Sequence, residues 1–397
     1  MRAATIGRAM RELGPLRRLG ICLLLLPLAG CAELPAQPVV TQDEVAWAGS
    51  GAGLLPASGE PAVEDLSSLM HLTPEMVRFA HEVTGISFDV AGKTEALTKA
   101  MGDPKRLHIE YDADATLTAE QAFKQRRANC LSYTMLFVAM AREVGIPTRF
   151  NEVDIPPIWD LGDDRTSLLY RHINARVELP LTFFLMVDVS SSEYDPAYYQ
   201  YQIPDEEAMA QFYNNRAVEM RLQQRWSESL RYEVRALELA PQAAYLWDNL
   251  ASLYMRVGDK RAARVAITQS LKLDPSSMLG YDTASQIYEA IGERQLARYF
   301  HERAQFFLDQ NPYHHYQLAL AALLKHDKQT AFEEETRAIL LYPKDSRFFF
   351  LMAVVLNQMG DEQRAGLSLQ AALELAPDAA RQERYKSKYA RLAAMRG

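Results

Sequence analysis

Cysteine is scarce in this chain, and its scarcity excludes a fold held together by disulfides. Three cysteines occur among 397 residues, at positions 22, 31 and 130. Small disulfide-stapled domains use many more, in pairs. The chain must instead fold around a hydrophobic core, for which its length and its 48% hydrophobic content are sufficient.

A block of basic residues is missing as well. The formal net charge is -8, and acidic and basic residues are interspersed along the chain. No positive stripe is available for a phosphate backbone, so we expect no nucleic-acid partner. The sequence also lacks a metal-ligand cluster, a phosphate-binding glycine loop and a dinucleotide fingerprint. We therefore expect no cofactor and no metal.

Long hydrophobic runs are absent from the sequence. The most apolar short run is ICLLLLPLAGC at residues 21–31. It follows a segment that contains five arginines and a single acid, Glu12. A basic segment followed by an apolar run too short to span a bilayer is typical of a cleaved signal. We expect a signal peptide over residues 1–30. Its removal leaves a mature chain with a net charge of about -12.

The end of this run, Leu28-Ala29-Gly30-Cys31, resembles a bacterial lipobox. The resemblance implies a lipoprotein acylated at Cys31, and Ala32 implies sorting to the outer membrane, facing the periplasm. The alternative is an ordinary signal or an anchor helix with an incidental cysteine. With Cys22 removed and Cys31 lipidated, Cys130 has no disulfide partner. An idle thiol is an oxidation liability in the periplasm, which favours a functional role for Cys130.

The stretch after the lipobox is rich in proline, glycine, serine and alanine and has little periodicity. Such composition is typical of a flexible linker, so residues 31–62 are predicted to be a tether without secondary structure. We expect order to begin near Leu66.

A repeat of 34 residues organises the C-terminal half. Gly258, Gly292, His326 and Gly360 are each 34 residues apart, and each precedes an acidic residue. The set Trp247, Leu250, Ala251, Tyr254, Gly258, Ala263 and Pro275 resembles the tetratricopeptide repeat. We expect five repeats, at residues 210–243, 244–277, 278–311, 312–345 and 346–379, and a capping helix at residues 380–397.

The third repeat departs from the others, because Asp309 stands where proline is expected and Pro312 follows three residues later. Its second helix is predicted to run on by a turn. The resemblance implies a concave surface that holds a protein or peptide partner. The alternative is that the repeats only pack against the upstream domain.

The segment around Cys130 predicts a buried helix. Asn129 is a favourable N-cap, which places Cys130 in the first turn, where free backbone N–H groups and the helix dipole favour a thiolate. Residues 131–144 are almost all apolar or small, which indicates burial on most sides. Gly145 suits the left-handed position after the helix, and Pro147 prevents its extension.

Two strands follow with a period of two. His172, Asn174, Arg176 and Glu178 alternate with apolar residues, and the apolar run FFLMVDV at residues 183–189 follows. A hairpin centred on Pro180 places His172 opposite Asp188. A slip of one residue would place the two side chains on opposite faces.

The ordered set of Cys130, His172 and Asp188, with a helix that ends in Gly-Ile-Pro, resembles the bacterial transglutaminase-like superfamily of papain-like folds. The resemblance implies an α+β papain-like, transglutaminase-like domain over residues 63–205, followed by the all-α repeat solenoid. It also implies that Cys130 is the nucleophile, His172 the general base and Asp188 the residue that orients the histidine. Asn129, Asn174 and Val189 depart from the family pattern.

These roles fit together chemically. A thiol with the ordinary pKa of about 8.5 is mostly protonated at neutral pH, so it needs an imidazole and a helix N-terminus to hold the thiolate. The backbone N–H of Cys130 is an expected oxyanion donor, and Gln121 and Gln125 are candidates for the second. Water attacking the thioester gives a hydrolase, and an amine gives an acyltransferase acting on protein or peptide amides. The alternative is a non-catalytic lipoprotein scaffold for protein interactions in envelope assembly.

Overall fold

The computed structural model describes residues 38–55, 63–153, 172–189, 199–376 and 379–394. The expected signal peptide, Cys31 and the loop at residues 154–168 lie outside the described residues. Within the described ranges, no helix is both long and apolar enough to cross a membrane. The chain divides into two compact units, and their described residues lie in 38–304 and in 305–394.

The first unit begins with short helices and a small parallel strand pair. The helices lie at Gln42–Gly49 (α1), Leu66–Leu69 (α2), Pro74–Thr84 (α3), Val90–Gly102 (α4) and Ala119–Gln125 (α5), and the strands at Glu110–Tyr111 (β1) and Arg127–Ala128 (β2). The start of α3 follows from its sequence, because Thr73 caps the helix by accepting from Met76 N–H, and Pro74 takes the first position.

The central elements are a buried helix and a four-stranded sheet. The helix lies at Cys130–Glu143 (α6), and the strands at Thr148–Val153 (β3), His172–Glu178 (β4), Phe184–Val187 (β5) and Gln200–Ile203 (β6). The strand order is β5-β4-β3-β6, and neighbouring strands are antiparallel. Helix α6 contacts both β3 and β4, so its first residue lies close to one end of β4.

The hairpin between β4 and β5 has a different register from the one predicted. Ala175 pairs with Val187, so the turn is centred on Leu181 rather than Pro180. The reason is a short 3-10 turn at Pro180–Thr182, in which Leu181 and Thr182 take positive φ angles of 61° and 66°. The shift moves the position opposite Asp188 by two residues along β4. Because side chains alternate with a period of two, His172 and Asp188 still share a face.

The prediction of a tether over residues 31–62 is wrong for the part that forms α1. Thr41 and Glu44 form a capping box at the start of this helix, and Ala48 is fully buried. Ala48 O accepts a hydrogen bond from the Tyr254 hydroxyl. A side-chain Cβ at position 49 would lie 2.9 Å from the Trp247 ring, so any larger residue there would force the ring to shift. Docking onto the repeats therefore orders a segment whose composition indicates a linker.

The repeats form consecutive helix pairs. In the first unit the helices lie at Asp205–Leu222 (α7), Trp226–Leu239 (α8), Ala244–Val257 (α9), Lys260–Leu273 (α10), Met278–Ala290 (α11) and Arg294–Asp309 (α12). Helix α7 begins at 205, five residues before the predicted repeat. Its Gln211 side chain donates to the buried Glu152 of β3, and Asp205 pairs with Arg142 of α6. These contacts join the first repeat to the mixed domain, so residue 205 is not a boundary between compact units.

The second unit starts within α12, which reaches Asp309 and is two residues longer than the 14-residue α10. Its further helices lie at Pro312–Leu324 (α13), Lys328–Leu341 (α14), Ser346–Met359 (α15), Glu362–Leu375 (α16) and Ala379–Ala394 (α17). Phe348, Phe349 and Met352 of α15 are fully buried in its core. The apolar face of α15 therefore holds the last repeats together.

Candidate functional site

The site is built around the N-terminus of α6. Asn129 caps this helix, because its side-chain oxygen accepts from Ser132 N–H at 2.9 Å. The Asn129 amide donates to the Thr116 hydroxyl at 3.0 Å, and Asn129 itself is buried. The cap is thus held by a second hydrogen bond, which gives a local reason for asparagine at this position.

The other end of α6 has the predicted stop signal. Gly145 has a φ of 76°, and Ile146 N–H donates to Ala141 O at 2.8 Å across the last turn. This is the geometry of a glycine-terminated helix, which a side chain at Gly145 would strain. The helix therefore has 14 residues and begins at Cys130.

A threonine connects α6 to the strand that carries His172. The Thr134 hydroxyl lies 2.8 Å from Cys130 O and 3.2 Å from Ile173 O. Thr134 is buried one turn after Cys130, and Ile173 follows His172 in β4. This contact sets the distance between the start of the helix and the start of the strand.

The structure brings Cys130, His172 and Asp188 together. His172 Nε2 lies 2.5 Å from Asp188 Oδ2, and the His172 ring also hydrogen-bonds with the Cys130 side chain. Because Nε2 faces the carboxylate, Nδ1 is the ring nitrogen available to the thiol. Cys130 is half-buried, whereas the side chains of His172 and Asp188 are only 4% and 9% exposed. The sulfur is therefore the accessible member of the three.

The surroundings favour a charged imidazole. Burial by itself lowers the pKa of His172, but hydrogen bonds with Asp188 and Cys130 outweigh it and raise that pKa to about 10. Tyr133 follows Cys130 by three residues and so lies on the same face of α6. Burial and the Asp188 charge raise the pKa of its phenol. Tyr133 therefore stays neutral beside the carboxylate.

A chain of side-chain amides continues from the carboxylate across the sheet. Asn174 Nδ2 donates to Asp188 Oδ2 at 3.0 Å, and Asn151 Nδ2 donates to Asn174 Oδ1 at 3.0 Å. Asn151 Nδ2 also lies 3.2 Å from Gln200 Oε1. Asn151 and Asn174 are buried and face each other in the register of β3 and β4. Each therefore has a defined orientation beneath the site.

The two candidate oxyanion glutamines use their side-chain carbonyl oxygens in local contacts. Gln121 Oε1 accepts from Thr118 N–H in the capping box of α5, and Gln125 Oε1 accepts from Arg127 Nε. Both side chains are exposed. Among the described hydrogen bonds, neither glutamine contacts Cys130.

The described residues hold no group of three or more histidine, cysteine, aspartate or glutamate side chains that could bind a metal ion. The arrangement at Cys130 is instead a thiol, an imidazole and a carboxylate in sequence. This set can generate a nucleophile and move a proton without an added group.

Comparison with known proteins agrees with the fold. Residues 78–162 match the model of the transglutaminase-like superfamily, and residues 244–277 match that of the tetratricopeptide repeat. The chain therefore contains a transglutaminase-like core followed by tetratricopeptide repeats, as predicted. The mixed α/β region followed by a helical solenoid confirms the predicted fold class. No curated protein matches the chain in sequence.

Several solved structures are similar to part of the chain. They include MamA residues 41-end from Desulfovibrio magneticus RS-1, with 18% identity, 43% of this chain and 96% of that chain covered, and a TM-score of 0.25. YrrB, described as a TPR protein with an unusual peptide-binding site, has 16% identity, 45% and 92% coverage and a TM-score of 0.24. Pseudomonas aeruginosa pilF has 14% identity, 48% and 90% coverage and a TM-score of 0.26.

Sequence reasoning missed the amides beneath the site and Tyr133. A signal for the amides was present, because Asn151 and Asn174 are polar residues inside two strands that also contain buried apolar residues. Asn174 is also two residues from His172, so it shares the histidine's face of the strand. Strand β6, which brings Gln200 to Asn151, has no clear periodic signal.

Proposed function

We propose that this protein is a cysteine-dependent hydrolase or acyltransferase that acts on protein or peptide amides. The observation that carries the proposal is the hydrogen-bonded series from Asp188 through His172 to Cys130 at the start of a buried helix. In this reading Cys130 is the nucleophile, His172 the acid and base, and Asp188 the residue that orients the imidazole.

The first half-reaction forms a thioester. The Cys130 thiolate attacks the amide carbonyl carbon, and the backbone N–H of Cys130, which has no partner within its own helix turn, lies where it can stabilise the oxyanion. The His172 imidazolium then donates a proton to the amide nitrogen. The carbon–nitrogen bond breaks, the amine leaves, and the acyl group remains on Sγ.

The second half-reaction removes the acyl group. Neutral His172 accepts a proton from the incoming nucleophile, which attacks the thioester carbon and releases Sγ as thiolate. Water as nucleophile yields a carboxylic acid, and a lysine amine yields a new amide. The two outcomes share every protein group named here, so the site supports both classes of reaction.

The proposal extends to location and partners. The lipobox-like Leu28-Ala29-Gly30-Cys31 supports a protein anchored by lipid on Cys31, at the outer membrane and facing the periplasm. The tetratricopeptide repeats support a protein or peptide bound along the helical array. Incorporation of radiolabelled palmitate into the wild-type chain and not into Cys31→Ala, in a bacterial host, tests the anchor.

Alkylation of the thiol tests the active site. The rate of Cys130 modification by iodoacetamide is measured from pH 5 to 9 on the purified protein and on His172→Ala. We expect wild-type labelling at pH 6.5 to be at least tenfold faster than labelling of the variant, since the imidazolium stabilises the thiolate. Equal rates in the two proteins would show that His172 does not activate Cys130 and would end the enzyme proposal.

A non-catalytic scaffold is the second candidate, favoured by the departures from the family pattern at Asn174 and Val189. In that case the folded core would keep its hydrogen bonds while the repeats supply the function. A scaffold predicts that Cys130→Ala complements a deletion strain as well as the wild-type gene does. Loss of complementation by Cys130→Ala, with normal protein levels, favours the enzyme.

A further inference from the structure

The four-stranded sheet has an open edge on the side of β5. This strand ends the order β5-β4-β3-β6, and no described strand pairs with its outer side. Natural sheets usually protect such an edge with a charged residue, a proline or a bulge. Residues 184–187 are Phe-Leu-Met-Val and contain neither a charge nor a proline. The edge is therefore an unprotected template for another strand.

The register of the hairpin shows which backbone groups of β5 face outward. Leu179 N–H donates to Phe183 O at 2.9 Å across the hairpin. Hydrogen-bonded pairs alternate with non-bonded pairs along an antiparallel ladder. Leu185 therefore bonds to β4, whereas Phe184 and Met186 direct their N–H and C=O groups away from it. These groups have no strand partner in the described part of the chain, and an extended polypeptide presents groups that match their spacing.

The side chains along this edge are exposed on both faces of the sheet. Phe184 is 46% exposed, and Leu185, which lies on the opposite face, is 36% exposed. Leu181 and Phe183 in the preceding turn are exposed as well, whereas Val187 at the end of the strand is buried. The start of β5 thus presents apolar surface that the core of the domain does not cover.

An arginine of the neighbouring strand reaches over this edge. The guanidinium carbon of Arg176 lies 3.9 Å from the centre of the Phe184 ring, so the charge of this β4 residue lies above β5. Arg176 Nε donates to Glu178 Oε1 at 3.1 Å. Within the described ranges the two terminal amino groups of Arg176 have no acceptor, and 27% of its side chain is exposed. A carboxylate on an added strand could accept from these amino groups.

The charge of Arg176 distinguishes between possible occupants of the edge. A second copy that paired through its own β5 would bring Phe184–Val187, which contains no acid for Arg176. A strand with an acidic residue on the face of Arg176 and an apolar residue on the face of Leu185 would satisfy both, because strand side chains alternate between faces. Charge complementarity therefore favours a different polypeptide.

We propose that β5 binds an extended segment of a partner protein in which acidic and apolar residues alternate. The segment continues the antiparallel order of the sheet and pairs with the outward backbone groups of Phe184 and Met186. Its carboxylate accepts from Arg176, and its apolar side chains contact Leu185. The site belongs to the transglutaminase-like domain, and it does not require that Cys130 be catalytic.

Synthetic peptides test the charge preference directly. The full chain is titrated with fluorescein-labelled Val-Glu-Val-Glu-Val and with the peptide that has lysine in place of both glutamates, and binding is followed by fluorescence anisotropy. We expect the glutamate peptide to bind about tenfold more tightly, because lysine brings a like charge to Arg176.

N-methylated peptides test the backbone pairing. In an antiparallel pair the glutamates lie opposite Phe184 and Met186, so their N–H groups point toward β5. N-methylation of both glutamates should therefore abolish binding. N-methylation of the central valine, whose N–H points away from β5, is the matched control and should leave the affinity unchanged.

The sheet supplies a matched pair of variants. Arg176→Met keeps an unbranched side chain but removes the guanidinium, and we expect it to weaken the glutamate peptide by about tenfold. Arg149→Met is the control, because Arg149 lies directly opposite Arg176 on β3 and shares its face, one strand further from the edge. It removes the same charge and should leave the affinity unchanged.

Three results would overturn the proposal. The first is equal binding of the glutamate peptide and its glutamate-methylated form, and the second is equal weakening by Arg176→Met and Arg149→Met. The third is no binding of the glutamate peptide, whether the chain sediments as a monomer or as a dimer that covers its own edge. The peptide comparisons use the wild-type chain, so they decide the question even if a variant does not fold.

Discussion

The Asn174 side-chain amide donates to the same Asp188 oxygen that lies 2.5 Å from His172 Nε2. Asn174 stands two residues after the histidine, on the same face of the strand. Because Asn174 is fully buried and its own oxygen accepts from Asn151, it cannot rotate away without losing both bonds. The amide therefore fixes the carboxylate that faces the imidazole.

Replacing Asn174 by alanine should free the Asp188 carboxylate to rotate and so loosen the His172 ring. We expect Cys130 alkylation at pH 6.5 to slow by about tenfold, which corresponds to about 1.4 kcal/mol. The unfolding free energy in urea should fall by about 1–3 kcal/mol, because the buried Asp188 loses a donor and Asn151 loses one of its two acceptors. Asn214→Ala, which removes an amide–amide bond in the repeats, is the control and should leave the alkylation rate unchanged.

The raised pKa of His172 predicts how stability depends on pH. Since its folded pKa of about 10 exceeds the ordinary 6.5, the stabilisation is fully present below pH 6.5 and is lost as pH rises through 10. We expect wild type to exceed His172→Gln in unfolding free energy by about 2–5 kcal/mol at pH 6, with the difference shrinking toward pH 10.5. Urea unfolding at fixed pH values checks this, and a pH-independent difference would contradict it.

The Thr134 hydroxyl should matter for both stability and reactivity. Thr134→Val keeps the shape but loses the contacts with Cys130 O and Ile173 O. We expect a loss of about 1 kcal/mol in unfolding free energy and a several-fold slower alkylation of Cys130. Thr134→Ser retains the hydroxyl and should preserve the alkylation rate; a slow Ser variant would point to packing instead.

The buried Glu233 predicts a pH dependence of the same sign in a lower pH window. Its folded pKa of about 8 lies above the ordinary 4.5, so its ionisation destabilises the fold increasingly as pH rises from 4.5 to 8. Glu233→Gln should therefore have nearly the wild-type melting temperature at pH 4.5 and a higher one at pH 8.5. Scanning calorimetry at both values decides, and equal melting temperatures at pH 8.5 would show that a partner for the carboxylate already exists in the chain.

The sequence patterns were most informative where local rules act. Asn129, Gly145 and Pro147 delimit α6 through capping and backbone restrictions that depend on adjacent residues alone. The 34-residue spacing likewise predicts a solenoid, because each repeat packs on its neighbour. The face shared by His172 and Asp188 was predictable from strand alternation, even though the turn shifted the register by two residues.

What escaped prediction depends on long-range contacts. Helix α1 is ordered by Trp247 and Tyr254, some 200 residues away in sequence, and no composition rule reveals such docking. The amide chain needs β6 to bring Gln200 beside Asn151. The charge on Glu233 could be read from sequence, but its burial follows only from the helices packed around it.

The docking of α1 also limits how far the core could travel from an attachment point. Thr41 caps this helix, and it lies ten residues after Cys31. An extended chain spans at most about 3.5 Å per residue, so a lipid on Cys31 would keep the start of α1 within about 35 Å of the bilayer surface. Under the proposed lipid anchor, the folded chain would therefore stay close to the membrane that carries it.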